Sequence, residues 1–169
     1  HDFPYVQIAK EYEAAGAECI SVLTEPKWFL GSNEYLTRIA GAVSVPCLRK
    51  AFTVDEYMIS EARVLGASAV PLICSILSER QINEYISICD EMGLSALVEA
   101  HDEREVTMAV QAGARLIGIN NRKLKDFTVD THKSFRFPEM IPGDILVVSG
   151  SGIYTGYDVK KFMGICADD

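Results

Sequence analysis

Short apolar runs alternate along this chain with longer stretches of mixed polarity. Residues 116–119 and 145–148 are two such runs, and neither contains a charged side chain. Near-continuous apolar runs are typical of strands that are covered on both faces, as in parallel sheets. The pattern predicts six strands, at residues 19–24, 45–49, 69–74, 95–99, 116–120 and 145–149.

The stretches between the runs have helical periodicity. Ser78 and Gln81 have the spacing of a capping box at the start of a helix that continues to Met92, and Thr53 and Glu56 predict the same start for a helix over 54–65. Residues 6–15 and 102–112 predict two more helices. Glycines that fit the position after a helix, where a positive φ is favoured, are Gly16, Gly66, Gly93, Gly113 and Gly164.

Regular alternation of strand and helix favours a (βα)8 TIM barrel or a doubly wound sheet. The chain opens on a helical stretch with no strand before it and closes where a further strand would begin. An eight-stranded barrel takes about 250 residues. We therefore predict a single βα-barrel domain over residues 1–169, of class α/β, that lacks the first and last strands.

Composition narrows the possible partners. The chain has 169 residues and a formal net charge of −8, which argues against nucleic acid and requires a local basic pocket for any anionic substrate. The five cysteines show no CxxC spacing and mostly lie among apolar residues, so we expect reduced, mostly buried thiols and a cytoplasmic protein. Neither a metal site, a signal peptide nor a membrane-length apolar run is predicted.

Charged residues follow several of the predicted strands, at the edge where a βα barrel has its active site. Glu25, Lys50 and Glu99 each end a largely apolar run, where a lone buried charge would be costly and convergence would compensate it. Simpler roles remain open: a surface ion pair for Glu25, a solvated lysine for Lys50, and a helix cap for Glu99, although Asp102 is better placed to cap.

Polar residues at other strand ends have two interpretations each. Asn120 and Arg122 fit either a binding site or a structural loop. Ser149 and Ser151, in a glycine-rich turn, could bind phosphate or could simply form the turn. His101 is better explained as a loop or capping residue than as a catalyst.

Taken together, these strand ends resemble the indole-3-glycerol phosphate synthase family of tryptophan biosynthesis. The likeness covers nearly the whole chain in the right order. It is carried by residues 20–25 with Lys27, Phe29, Gly31 and Ser32; 46–50 with Phe52; 97–99 with His101; 117–122; and 151–153. The resemblance implies a carbon–carbon lyase that closes an indole ring on a carboxyphenylamino-deoxyribulose phosphate, losing CO2 and water without a cofactor.

The resemblance also implies residue roles. Lys50 would be the general acid for ring closure, Glu99 the acid/base partner in dehydration, and Glu25 with Lys27 a second polar pair. Asn120 would hold a substrate hydroxyl or Glu99, and Arg122 the loop or a substrate anion. The remaining implied substrate contacts are Phe29 and Phe52 near the aromatic ring, Ser151 near the phosphate, and Ser32.

Three positions depart from the family pattern. Ala51 stands where the family usually has Asp, and Gly150 stands where it usually has Glu. Pro71 replaces a usual Leu in the third strand, and because proline lacks an N–H donor we expect a local disturbance there.

Two alternatives therefore stay open. One is another phosphosugar barrel enzyme, similar to phosphoribosylanthranilate isomerase, which would carry a catalytic Cys or Asp at the strand ends. The other is a non-catalytic barrel fragment that self-associates through open sheet edges.

Overall fold

The computed structural model describes residues 3–121 and 137–151, which contain six strands, five α-helices and one 3-10 helix. The strands are β1 (Ile20–Leu23), β2 (Cys47–Lys50), β3 (Ala69–Ile73), β4 (Ser95–Ala100), β5 (Leu116–Asn120) and β6 (Leu146–Gly150). The α-helices are α1 (Tyr5–Ala14), α2 (Asn33–Ala40), α3 (Glu56–Val64), α4 (Glu79–Met92) and α5 (Glu103–Gln111), and the 3-10 helix is Phe137–Met140.

The chain divides into two compact units. The first comprises residues 1–72 and 84–96, and the second comprises residues 73–83 and 97–169.

In the first unit, β1 and β2 are parallel, with Ile20 opposite Cys47 and Leu23 opposite Lys50. The next strand continues the sheet, with Leu48 opposite Ala69. Successive side chains of a strand point to opposite faces. Val22 and Arg49 are buried on one face, whereas Leu23 is exposed and Lys50 half-buried on the other.

In the second unit, β4, β5 and β6 are also parallel. Glu99 lies opposite Gly118, and Asn120 lies opposite Gly150. Ile117 and Ile119 are fully buried on the alternate face of β5. The burial of that face leaves Gly118 and Asn120 on the same face as Glu99.

The six predicted strands are confirmed to within two residues at each end. One helix start is wrong: α3 begins at Glu56 and its cap is Asp55, whose carboxylate accepts the Tyr57 N–H at 2.7 Å, so Thr53 does not cap it. Asp is as good a cap as Thr and stands closer to the helix. The Ser78–Gln81 capping box is confirmed.

Two further expectations concern special residues. Gly16, Gly66, Gly93 and Gly113 have the positive φ expected after a helix, and Gly164 lies outside the described residues. β3 includes Pro71, which is fully buried, and the local disturbance expected at this proline stays a prediction.

Within the described residues, none of the helices is long and apolar enough to cross a membrane. The single-domain organisation and the self-association through strand edges stay predictions.

Burial of the thiols gives a testable order of reactivity. Cys74 and Cys89 are buried, and burial raises their pKa to about 12 and about 11; partial desolvation also raises the pKa of Cys19, but Cys19 is exposed to reagent. Because the thiolate is the nucleophile, iodoacetamide at neutral pH should modify Cys19 while leaving Cys74 and Cys89 intact. Peptide mass mapping, repeated in urea as the control, measures this. Equal labelling of all three in the folded protein would contradict the burial described.

Candidate active site

Lys50 ends β2, and its backbone is fixed by β1. Its carbonyl accepts hydrogen bonds from the Thr24 N–H at 3.1 Å and the Thr24 hydroxyl at 3.3 Å. The side chain is half-buried and shares its face with Leu23. The backbone of Lys50 is therefore held in place, and its side chain lies beside the apolar Leu23. This arrangement suits a positioned proton donor.

Glu25 organises the loop that follows β1. Its carboxylate accepts the backbone N–H groups of Lys27 at 2.9 Å, Phe29 at 3.1 Å and also Trp28. Desolvation works to raise the pKa of Glu25, but these N–H groups and the Lys27 charge outweigh it and lower the pKa below its ordinary value. The Lys27 ammonium lies 4.9 Å from the centre of the Trp28 ring.

The same loop places Phe29 against Phe52, the two residues predicted to contact the aromatic ring of the substrate. The rings of Phe29 and Phe52 are stacked, with centroids 5.2 Å apart. The loop returns to β1 at Gly31, where a Cβ would lie 2.3 Å from the Leu23 carbonyl oxygen. Only glycine permits this close approach of the two backbone segments. The approach constrains the path of the loop and therefore the position of Phe29.

Ser32 has a structural task in this arrangement. Its hydroxyl accepts the Glu34 N–H at 3.2 Å and caps α2, while its own N–H donates to the Leu23 carbonyl at 3.2 Å. Its predicted contact with substrate stays a prediction.

In the second unit, Glu99 lies one residue before the end of β4 and is only 7% exposed. Its neighbour in register is Gly118, where an added Cβ would lie 3.5 Å from the Glu99 Cγ and 3.2 Å from the Leu97 Cδ1. A side chain at position 118 would therefore be in ordinary contact with Glu99 and in tight contact with Leu97. Asn120 follows on the same face and is half-buried.

Sequence reasoning missed Asn121, which is fully buried. Its side-chain amide donates to the Ser149 hydroxyl at 3.2 Å and the Ser151 carbonyl at 3.1 Å, and its N–H donates to the Gly150 carbonyl at 2.9 Å. It thus holds Ser151, whose φ is 67°, at the end of β6. The two consecutive asparagines at the end of β5 were the available signal in the sequence. The pattern of apolar and polar residues does not show which of the two side chains is buried.

The residues around His101 form a helix start. Asp102 caps α5 through the Glu105 N–H at 2.9 Å, which confirms the choice of Asp102 over Glu99. The Glu105 carboxylate accepts the His101 N–H at 2.7 Å and lies 3.1 Å from its Nδ1. His101 therefore precedes the helix and packs against Glu105, which agrees with the loop interpretation, and the cap itself is Asp102.

The predicted residues thus gather in two sets, each at the carboxyl ends of its own strands. The first unit holds Glu25, Lys27, Phe29, Ser32, Lys50 and Phe52, and the second holds Glu99, Asn120 and Ser151. Arg122 lies outside the described residues. Within residues 3–121 and 137–151, no group of three His, Cys, Asp or Glu side chains is placed to hold a metal ion.

Comparison with known proteins decides the family. The family model for indole-3-glycerol phosphate synthase matches residues 1–167. The indole-3-glycerol phosphate synthase of Ruminiclostridium cellulolyticum is 54% identical over 98% of this chain. The chain belongs to the indole-3-glycerol phosphate synthase family. That of Lacticaseibacillus paracasei is 52% identical over 95% of the chain. The chain spans 64% and 62% of the lengths of these two relatives.

A solved structure supports the fold at much lower identity. N-acetylmannosamine-6-phosphate 2-epimerase from Clostridium perfringens matches 95% of the chain and 73% of its own length, with a TM-score of 0.74 and 12% identity. Together with the family, this confirms the α/β TIM-barrel class, to which the described residues contribute six strands.

The Glu25 loop predicts a pH-dependent contribution to stability. Because the pKa of Glu25 is lowered, its contribution is present above about pH 4.5 and is lost as the pH falls through the lowered value. Glu25→Gln should therefore reduce the free energy of unfolding at pH 7, with a gap to the native protein that closes in acid. Urea unfolding at several pH values measures this. The control is Glu18→Gln, at an exposed position; a gap that does not change with pH would contradict the expectation.

Proposed function

We propose that the protein carrying this chain closes the indole ring of indole-3-glycerol phosphate from 1-(2-carboxyphenylamino)-1-deoxyribulose 5-phosphate. The observation that carries the proposal is the fixed, half-buried Lys50 at the end of β2 in a chain of this family. The stacked Phe29–Phe52 pair in the same unit adds an apolar aromatic surface suited to the ring of the substrate.

Lys50 acts on the substrate ketone in this proposal. Its ammonium donates a proton to the ketone oxygen while the aromatic carbon bearing the carboxylate attacks the ketone carbon. Departure of CO2 leaves its electron pair in the ring and restores aromaticity. Loss of the new hydroxyl as water and of a proton from the neighbouring carbon then completes the indole.

Glu99 serves the dehydration as the proton acceptor. It is buried, and its neighbour in register, Gly118, has no side chain. Asn120, on the same face, orients a substrate hydroxyl or the Glu99 carboxylate. We further propose that Ser151 and Arg122 contact anionic groups of the substrate and that Ser32 lies near them. Glu25 and Lys27 shape the loop that presents Phe29.

The residues at the strand ends argue against the alternative of another phosphosugar barrel enzyme. Such an enzyme would need a reactive Cys or Asp there, and the cysteine that follows β3 is Cys74. Burial raises the pKa of Cys74 to about 12, which keeps it a neutral thiol. We also propose a reducing, cytoplasmic location, because the cysteines show no CxxC spacing and Cys47, Cys74 and Cys89 are buried like small apolar residues.

The first test replaces the proposed general acid. Lys50→Met should lower kcat by roughly 10²- to 10⁴-fold, the usual contribution of a positioned acid. Indole fluorescence of the product gives the rate, and circular dichroism shows that the variant is folded. Lys10→Met, at an exposed position of α1, is the matched control and should retain native activity. Folded native protein that forms no product would overturn the proposed function in favour of a non-catalytic barrel.

The second test concerns the missing carboxylate at Gly150. A Cβ at this position would lie 3.7 Å from the Ile119 carbonyl oxygen, an ordinary contact, and Asn120 lies opposite in register. Because a side chain fits here and the family usually has Glu, Gly150→Glu should raise kcat/KM by about tenfold. Gly150→Gln, of the same size without charge, is the control. Equal rates for the two variants would show that the carboxylate adds nothing.

A further inference from the structure

Arg49 is a buried charge that the proposed chemistry does not use. It lies on β2 directly before Lys50, points to the opposite face of the strand, and is only 5% exposed. Its guanidinium donates to four groups in three parts of the chain. These are the Thr24 hydroxyl at 3.4 Å, the Met58 carbonyl at 2.9 Å, the Asn33 side-chain oxygen at 3.1 Å and the Glu61 carboxylate.

These contacts, which we call the Arg49 cluster, connect β2 to its surroundings on three sides. Asn33 opens α2, Met58 and Glu61 belong to α3, and Thr24 follows β1. Asn33 also donates to Glu61 at 3.4 Å, so the acceptors are linked to one another. A planar guanidinium with several fixed donors holds such a set in a single geometry, whereas an ammonium acts as a point charge.

The cluster leads directly to the backbone of Lys50. Thr24, which accepts from the Arg49 Nε, also donates its N–H and hydroxyl to the Lys50 carbonyl. A shift of β2 along its axis would therefore break both the Arg49 side-chain bonds and the bonds from Thr24 to the Lys50 carbonyl.

Stability alone does not explain a buried arginine at this position. Replacing a buried ion pair with apolar side chains of similar volume is often neutral for stability, or even favourable. What an apolar side chain cannot supply is the directional attachment to α2, α3 and the end of β1.

We propose that Arg49 is a positioning residue that sets the location of the Lys50 ammonium. The proposal rests on the proposed function, since it assigns to Lys50 the role of proton donor. Removal of the guanidinium lets the end of β2 relax and moves the donor away from its acceptor, and displacements of about 1 Å can cost about 10² in rate.

The test compares two arginine variants in the protein that carries this chain. Arg49→Met should lower kcat at least tenfold with KM within about twofold of native, because binding groups elsewhere are unchanged. Arg38→Met is the control, since Arg38 makes an exposed ion pair with Glu34 at 2.7 Å, with side chains 62% and 60% exposed. It should leave both constants within about twofold. Arg49→Lys keeps the positive charge but lacks the planar set of guanidinium donors, so it should not restore kcat.

A second measurement does not depend on activity. Lysines dimethylated with 13C-formaldehyde give separate NMR signals, and Lys50→Arg identifies the signal of Lys50. This signal should move in Arg49→Met and stay in place in Arg38→Met. If Arg49→Met fails to fold, Glu61→Gln weakens the same cluster more mildly and is measured in its place.

The outcomes separate the two proposals. A native protein without product, in which the Lys50 signal still responds to Arg49→Met, overturns the proposed function and retains the positioning of Lys50. An unmoved Lys50 signal overturns the positioning role, whatever happens to kcat. In an active protein, a moved signal with kcat within twofold of native also overturns it, because the displacement would then have no catalytic consequence.

Discussion

Alternation of side chains across each strand is the constraint on which the rest of this structure depends. At the end of β2 it places Arg49 among α2 and α3 and Lys50 on the opposite face. At the end of β5 it buries Ile119 and leaves Asn120 beside the position of Glu99. A shift of either strand by one residue would turn the packed side chain, Arg49 or Ile119, to the other face and bring its neighbour, Lys50 or Asn120, into the packing. The packing of one face therefore determines which polar groups the other face presents.

The apolar runs predicted the strands well because parallel strands are buried along most of their length, so that hydrophobicity alone marks them. Capping was harder, since Thr53 and Asp55 both can cap and only the path of the chain chooses between them. Strand-end charges singled out Lys50 and Glu99 as candidates, whereas Asn121 and Arg49 went unassigned. Their importance lies in contacts with residues 9 to 30 positions away, which no local pattern contains.

Glu25 illustrates how a motif residue changes meaning once its surroundings are known. A carboxylate after a strand suggests an acid or a base, and the family resemblance places it in the site. Three backbone N–H groups nevertheless donate to it, and because they favour its ionised form its pKa is lowered. A carboxylate that accepts several backbone N–H groups is well suited to organise a loop. The loop organised in this way carries Phe29, which stacks on Phe52.

The two departures at strand ends differ physically. Ala51 is 4% exposed, so an Asp there would need its own partners to offset desolvation. Gly150 is half-buried and has room for a Cβ, so a Glu there would cost little. Restoring the acidic residue that is usual in the family is therefore easier at Gly150 than at Ala51. Activity lost through Gly150 would be recoverable by one substitution, whereas activity lost through Ala51 would require changes around it as well.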